Sequence, residues 1–314
     1  MRTLAAVVAL TSGIVDAGEP IDSVTVYSAN ASGNVSGLRT IAGPHTGLRF
    51  PSAIAVTRDA ILVANRAGDS ITVYRANAAG DVAPVRTIRG RHTRLNRPTG
   101  IAVDRAGDIY VANRSGDDVT IYARGSNGDV APLRTLGGPH TGLEEPTSVA
   151  VDANGTLYVA NLRAKSVTIF ANGAAGDAAP LRTIAGTRPG LTAAYGIAAD
   201  AAGRAYVVNA PGSGSSIAVY EAGAAGNVAP VRTIAGPATQ MAAASGVAVG
   251  PRGAVYVSDH GLATGAGAIL IYRADANGDA APVRTIHPSG KRSAAPYGLA
   301  VGSDGAIFAA TRRD

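Results

Sequence analysis

A unit of about 48 residues recurs six times along this chain, and that internal repeat restricts the fold more than any other feature. The copy that opens at Asp69 reads DSITVYRANAAGDVAPVRTIRGRHTRLNRPTGIAVDRAGDIYVAN and ends at Asn113. The next opens at Asp117, reads DDVTIYARGSNGDVAPLRTLGGPHTGLEEPTSVAVDANGTLYVAN and ends at Asn161. Further copies begin near Asp22, Ser166, Ser216 and Ala268.

Every copy holds four short runs of alternating or β-branched residues, of the types GIAVD, IYVAN, SITVY and PVRTI. Turns rich in Gly, Asp and Asn separate them, as in Asp104-Arg105-Ala106-Gly107 and Gly80-Asp81, so each unit predicts four antiparallel strands. One such sheet cannot bury either of its faces alone. Sheets packed radially bury both, and the pattern therefore predicts an all-β, six-bladed β-propeller of four-stranded antiparallel blades. Composition agrees: Gly 40 and Pro 17 suit many short strands joined by tight turns, and the absence of Cys leaves packing rather than disulfides or thiolate–metal bonds to hold the chain.

The small, apolar GIAVD run suits the crowded centre. The PVRTI run carries a proline and then an arginine (Arg39, Arg86, Arg134, Arg182, Arg232, Arg284), which is the composition of a protected outer edge. The chain opens with an outer pair, Ser23 to Tyr27 and Leu38 to Ile41, and ends with an inner pair, Gly298 to Val301 and Ala306 to Ala310. One blade shared between the two ends would close the ring. Residues 1–17 as a further inner pair would instead give seven blades, one of them incomplete. Met1 and Arg2, an apolar stretch from Leu4, and the small-residue ending Val15-Asp16-Ala17 read as a secretory signal peptide, leaving a single domain over 18–314 that is secreted or periplasmic. No apolar run reaches the roughly 20 residues of a transmembrane helix, so a soluble monomer is expected.

The pattern Pro-x-GIAVD-x-x-Gly-x-IYVAN followed by SITVY resembles the NHL repeat over nearly the whole chain after residue 18, and it is similar to NHL-type repeats of bacterial exported proteins. It departs from the usual pattern by the inserted turn segment with its Gly-Asp or Gly-Asn. The resemblance implies a six-bladed propeller and leaves function open. Propellers of this kind include lactonases, lyases, receptor sensor domains, RNA-binding modules and scaffolds.

On the face where the inner strand begins, here the top, its first positions ring the channel: Ser52, Thr99, Thr147, Tyr195, Ser245 and Tyr297. In gluconolactonase-like relatives that ring gives carboxylates and amides to a divalent metal. Here it offers hydroxyls, which suit a neutral ligand and give no charge for a hard cation, so no metal or other cofactor is expected. Asn65, Asn113, Asn161, Asn209 and Asp259 end the second strand, where side-chain capping of a turn explains the repetition. His45, His92 and His140 recur in three successive copies, but positions rotated by roughly 60° do not converge on zinc. The stretch from Asp275 to Asp279 opens like a calcium loop and lacks its completing Glu. His260, beside Asp259 in an enlarged loop, is the one candidate acid or base.

The net charge is +6. Top-face loops carry Arg66, Arg94, Arg97, Arg114 and Arg163, whereas Asp59, Asp81, Asp104, Asp129, Asp177 and Asp279 fall in turns assigned to the bottom. A basic top and an acidic bottom point to an anionic glycan or a protein surface as partner. Nucleic acid is poorly served, with Trp absent, Phe at 3 and the tyrosines at regular core positions of the strands. The expected function is non-catalytic binding or scaffolding through the top face. The alternative is a lactonase-like hydrolase or lyase at the channel mouth, drawing on His260, Asp259, Tyr195 or Tyr297. Mass spectrometry of protein recovered after export should find Gly18 as the first residue, and an intact Met1 would return residues 1–17 to the folded domain.

Overall fold

The structure, a computed structural model, describes residues 22–210, 214–261, 267–289 and 295–312. The segment read as an export signal, 1–17, lies outside the described residues. Six sheets of four antiparallel strands are formed, with a fifth short strand added to one of them. In blade one the strands run from the axis outward as Pro51–Val56, Ala60–Asn65, Ser70–Arg75 and Arg86–Arg89. Blades two to five repeat this order, with inner strands Pro98–Val103, Pro146–Val151, Ala194–Ala199 and Ala244–Val249. In the sixth sheet Pro296–Val301 and Ile307–Thr311 form the inner pair, and Ser23–Tyr27 and Arg39–Ala42 the outer pair. Ser23 faces Thr311 and Tyr27 faces Ile307 across the two ends of the chain, with the hydroxyls of Ser23 and Thr311 2.6 Å apart.

The period-two pattern sorts side chains between neighbours rather than between core and solvent. In blade two every residue of Ile109–Asn113 and Asp118–Tyr122 is buried. Ile109 and Val111 pack with Leu62, Ala64, Ile71 and Val73 of blade one. Tyr110 and Ala112 pack with Val149, Leu157 and Val159 of blade three. Each sheet therefore completes two cores, one on either side.

At the axis six inner strands converge, and their third residues are Ala53, Gly100, Ser148, Gly196, Gly246 and Gly298. A Cβ on Gly100 would lie 2.6 Å from Cα of Ser148, and one on Gly298 would lie 2.8 Å from Cα of Ala53. Small residues here let neighbouring backbones touch.

The outer edge differs from the guarded free edge expected of the PVRTI run. The inserted turn segment of the following blade lies along it in parallel register: Gly80 against Ile41, Gly128 against Ile88, Gly176 against Leu136, Gly226 against Ile184 and Gly278 against Ile234. At the remaining junction the same segment lengthens into the strand Gly33–Val35, paired with Arg284–Pro288. Four of the six outer-strand arginines bond across the same seam, Arg39 to the Ala76 carbonyl at 2.6 Å among them. Arg86 donates to the carbonyls of Arg124 and Ser126 at 2.7 and 3.1 Å, and Arg232 and Arg284 repeat this on Ala274 and Ala276 and on Ala29 and Ala31. These are charge-assisted bonds between blades, and they explain the recurrence of arginine better than edge protection does.

The segment climbs beside the preceding blade, so its aspartates reach the top. The Asp81, Asp129, Asp177 and Asp279 carboxylates accept the backbone N–H groups of His45, His92, His140 and Ala238 in the top loops at 2.7 to 2.8 Å. These acids therefore sit on the outer rim of the basic face, which corrects the reading of an acidic bottom.

Tyr74, Tyr122, Tyr220 and Tyr272 end the third strands in full burial, and each hydroxyl donates to a loop carbonyl, those of Thr46, Thr93, Pro189 and Thr239. Burial pushes the Tyr74 hydroxyl up to about 12. Phe170 holds the equivalent place in blade three and needs no such partner. Tyr272→Phe should cost about 1 kcal/mol in urea unfolding by orphaning the Thr239 carbonyl. Gly100→Ala should cost more, about 2 kcal/mol, because its clash is with backbone.

Candidate ligand site at the channel mouth

The inner strands enclose a cavity of about 500 Å³ open to the top face, and all six predicted ring residues line it. The Ser and Thr hydroxyls of the ring bond from blade to blade. Ser52 donates to the Pro98 carbonyl at 2.8 Å, Thr99 to Pro146 at 3.1 Å, Thr147 to Ala194 at 3.0 Å and Ser245 to Tyr297 at 3.0 Å. Each bond joins one inner strand to the next, so Ser and Thr recur in this ring as seams between blades. Blades four and six depart from the rule with Tyr195 and Tyr297, whose rings stand in the mouth.

The capping reading of the residues that end the second strand is met at Asn65, Asn113, Asn209 and Asp259, whereas Asn161 donates to Thr168 but its buried Oδ1 has no hydrogen-bond partner among the described residues. Asn65 accepts the Arg49 N–H and donates to Thr72, Asn113 accepts from Asn96 and donates to Asp118 and Thr120, and Asn209 accepts from Thr192 and Ala193. Asp259, one of the predicted top-face residues, does the same work: it is 3% exposed, and its carboxylate accepts the N–H groups of Ala242, Ala243 and Gly261. It does not line the cavity.

The residue that follows each cap forms a second ring above the first: Arg66, Arg114, Leu162, Ala210, His260 and Arg312. Its basic members are contiguous. His260, Arg312, Arg66 and Arg114 come from blades five, six, one and two and all face the cavity. Burial, together with the charges of Arg97, Arg114 and Arg312, holds the Arg66 guanidinium below its ordinary value. Glu145 binds Arg114 through Nε and Nη2 at 3.2 and 2.9 Å and neutralises it. Among the described residues Arg66 has no carboxylate within ion-pair distance.

Aromatic rings order this arc. The Arg312 guanidinium carbon lies 3.2 Å from the Tyr297 ring centre and 4.3 Å from that of Phe50, and Arg66 lies 5.7 Å from Phe50 on its own side. The His260 imidazole stacks on Tyr297 at 4.6 Å with a 12° interplanar angle. Phe50 adopts a left-handed backbone, φ 56°, with its N–H held by the Asp22 carboxylate at 2.7 Å. Cation–π contacts of this kind fix guanidinium planes without discharging them.

The other predicted residues lie apart from the mouth. Arg94 and Arg97 are exposed in the loop before Pro98, and Arg163 stands 4.0 Å from Glu144 on the rim. Arg312 and Phe50 were not singled out in the sequence. Aligning the last strand on the copies would have revealed Arg312, since it follows Thr311 as Arg66 follows Asn65. His45, His92 and His140 do not approach one another. Their Nδ1 atoms pair with Asp81, Asp129 and Asp177 at 2.6, 2.8 and 2.5 Å, at three separate junctions. Among the described residues no group of three or more His, Cys, Asp or Glu is placed to hold a metal ion.

A family model described as "Lactonase, 7-bladed beta-propeller" matches residues 17–139, the outer pair of blade six and the whole of blades one and two. Its name counts one blade more than this chain builds. A search of curated proteins gives no match. Among solved structures the chain is similar to the WD40 propeller domain of Doa1 (TM-score 0.61, 11% identity, 94% of this chain and 91% of that one). It is similar also to a streptogramin B lyase (TM-score 0.53, 13% identity, 93% and 96%) and to virginiamycin B lyase from Staphylococcus aureus (TM-score 0.52, 12% identity, 92% and 98%). At these identities the likeness is one of fold.

The His–Asp pairs at the rim have a pH signature. The His45 and His140 side chains hydrogen-bond Asp81 and Asp177 and hold both carboxyls below the usual range. A depressed carboxyl stabilises the fold above its unfolded value of about 4, and that contribution disappears as pH falls through the lower folded value. The Asp81→Asn/Asp177→Asn variant should melt below the wild type at about pH 6, by a gap that narrows as pH falls below about 4, Asn keeping the backbone acceptor as Asn227 does for Arg188.

Proposed function

We propose that this propeller is a binding protein that takes the end of an anionic glycan, carrying uronate or sulfate groups, into the mouth of its channel. The observation that supports this reading is the arc of His260, Arg312, Arg66 and Arg114 over a cavity of about 500 Å³. A concave channel mouth admits the end of a glycan chain and does not suit a flat protein surface. Tyr195, 37% exposed, and Tyr297 offer faces on which a sugar ring can lie, while oriented guanidinium groups suit oxyanions. The NHL-like repeat, a secreted or periplasmic setting and a monomeric state belong to the same reading.

A second reading rests on His260. An imidazole stacked on Tyr297 in the mouth, in a fold shared with lyases and matched in part by a lactonase family model, is placed to serve a lactonase-like hydrolase or lyase as acid or base. Calorimetry with uronate oligosaccharides should give binding that weakens by about tenfold in Arg66→Ala and Arg312→Ala and falls with added salt. Binding indifferent to both changes sinks the glycan reading. Turnover of lactones or of streptogramin-type esters that is lost in His260→Ala would put the catalytic reading in its place.

A further inference from the structure

The bottom face is nearly neutral from blade to blade except at one seam. A groove of about 360 Å³ between blades one and two is lined by five arginines, Arg58, Arg75, Arg86, Arg105 and Arg124, against two aspartates, Asp59 and Asp104. The repeat itself supplies the background against which this stands out. Where blades one and two carry Arg58 and Arg105, blades three, four and six carry Ala153, Ala201 and Ser303. At the end of the third strand Arg75 is answered by Ala171, Glu221 and Ser28 in those blades. Blade five has Arg252 and Arg273, but Arg273 is bound to Asp275 at 3.1 Å and neither neighbouring blade adds an arginine at these positions.

The two acids in the groove do not cancel the charge. Asp104 is engaged by its own turn, accepting the Asp108 N–H at 2.9 Å and the Tyr110 hydroxyl at 3.3 Å. Asp59 stands 3.8 Å from Arg124, both side chains being 74% exposed. Among the described residues Arg58, Arg75 and Arg105 have no carboxylate within ion-pair distance. Arg86 lies at the floor of the groove, pinned to the carbonyls of Arg124 and Ser126, and burial together with the Arg124 charge holds its guanidinium below the ordinary value. Like charges gathered in one concave surface repel one another, and an anion bound between them relieves that repulsion.

We propose that this groove is an anion site on the face opposite the channel mouth, taking a small molecule that bears two or more phosphate groups. Three uncompensated positive charges exceed what a single carboxylate or a monophosphate offsets. The planar guanidinium fork matches phosphate oxygens bidentately. A volume at the small end of ligand pockets suits a compact polyanion rather than a folded partner.

Isothermal titration of the intact protein with inorganic tripolyphosphate, and in parallel with citrate and a sulfated disaccharide, tests the proposal. Tripolyphosphate should bind saturably, with one site, at least about tenfold more tightly than citrate or the sulfated disaccharide. Arg58→Ala/Arg105→Ala should weaken it by about tenfold or more, and Arg66→Ala in the channel mouth should leave it within about twofold. Arg58→Gln/Arg105→Gln, checked by its melting curve, serves if the alanine pair fails to fold. No saturable binding, binding lost in Arg66→Ala but kept in the groove variants, or citrate or the sulfated disaccharide binding as tightly as tripolyphosphate would each overturn it.

Discussion

No blade of this protein can exist by itself, because the second and third strands of each are buried on both faces and the burial is supplied by neighbours. Blade two makes the point: Ile109 and Val111 belong to the core shared with blade one, and Tyr110 and Ala112 to the core shared with blade three. A closed ring is the one arrangement that leaves neither kind of residue in water. Polar residues then recur for the same reason as apolar ones. Ser52, Thr99 and Thr147 bond carbonyls of the next inner strand, Arg86 and Arg232 bond carbonyls of the next turn, and Asp81 and Asp129 hold loops of the preceding blade. The seams between sheets, more than the sheets, define the repeat.

That division gives a way of separating structure from function in a repetitive chain. A residue type kept in all copies serves the seams, and a position where one or two copies depart is free to do something else. In the channel ring the hydroxyl seam is kept in four blades, while Tyr195 and Tyr297 replace it. In the ring above, Leu162 and Ala210 occupy one side and His260, Arg312, Arg66 and Arg114 the other. The sixfold scaffold thus carries a site with one polarised half. Its guanidinium groups are oriented by Phe50 and Tyr297, so an anion that enters meets donors already in place.

Four strands per copy and six copies were legible because a period of two and the Gly-Asp turns are written in side chains. The splint between blades was not, since its pairing is made by the backbone of Gly80, Gly128 and their equivalents, and a glycine in parallel register leaves no mark that differs from a glycine in a turn. Misplacing that segment displaced Asp81, Asp129 and Asp177 from the top rim to the bottom. The arginine-rich groove was missed for a related reason: Arg58 and Arg75 lie apart in sequence from Arg105 and Arg124, and only the packing of two blades brings them together. Arg312 is legible only by alignment on the other copies, because Thr311 stands where they carry Asn or Asp.

The chemistry open to the mouth is set by how its carboxylates are used. Asp22 accepts the Phe50 N–H, Asp69 that of Arg97, Asp117 that of Glu145, and Asp259 those of Ala242 and Ala243, while Glu145 itself holds Arg114. What remains exposed to a ligand is cationic and aromatic: Arg66 and Arg312, the faces of Tyr195 and Tyr297, and the His260 ring stacked on Tyr297. Such a surface holds negative charge well.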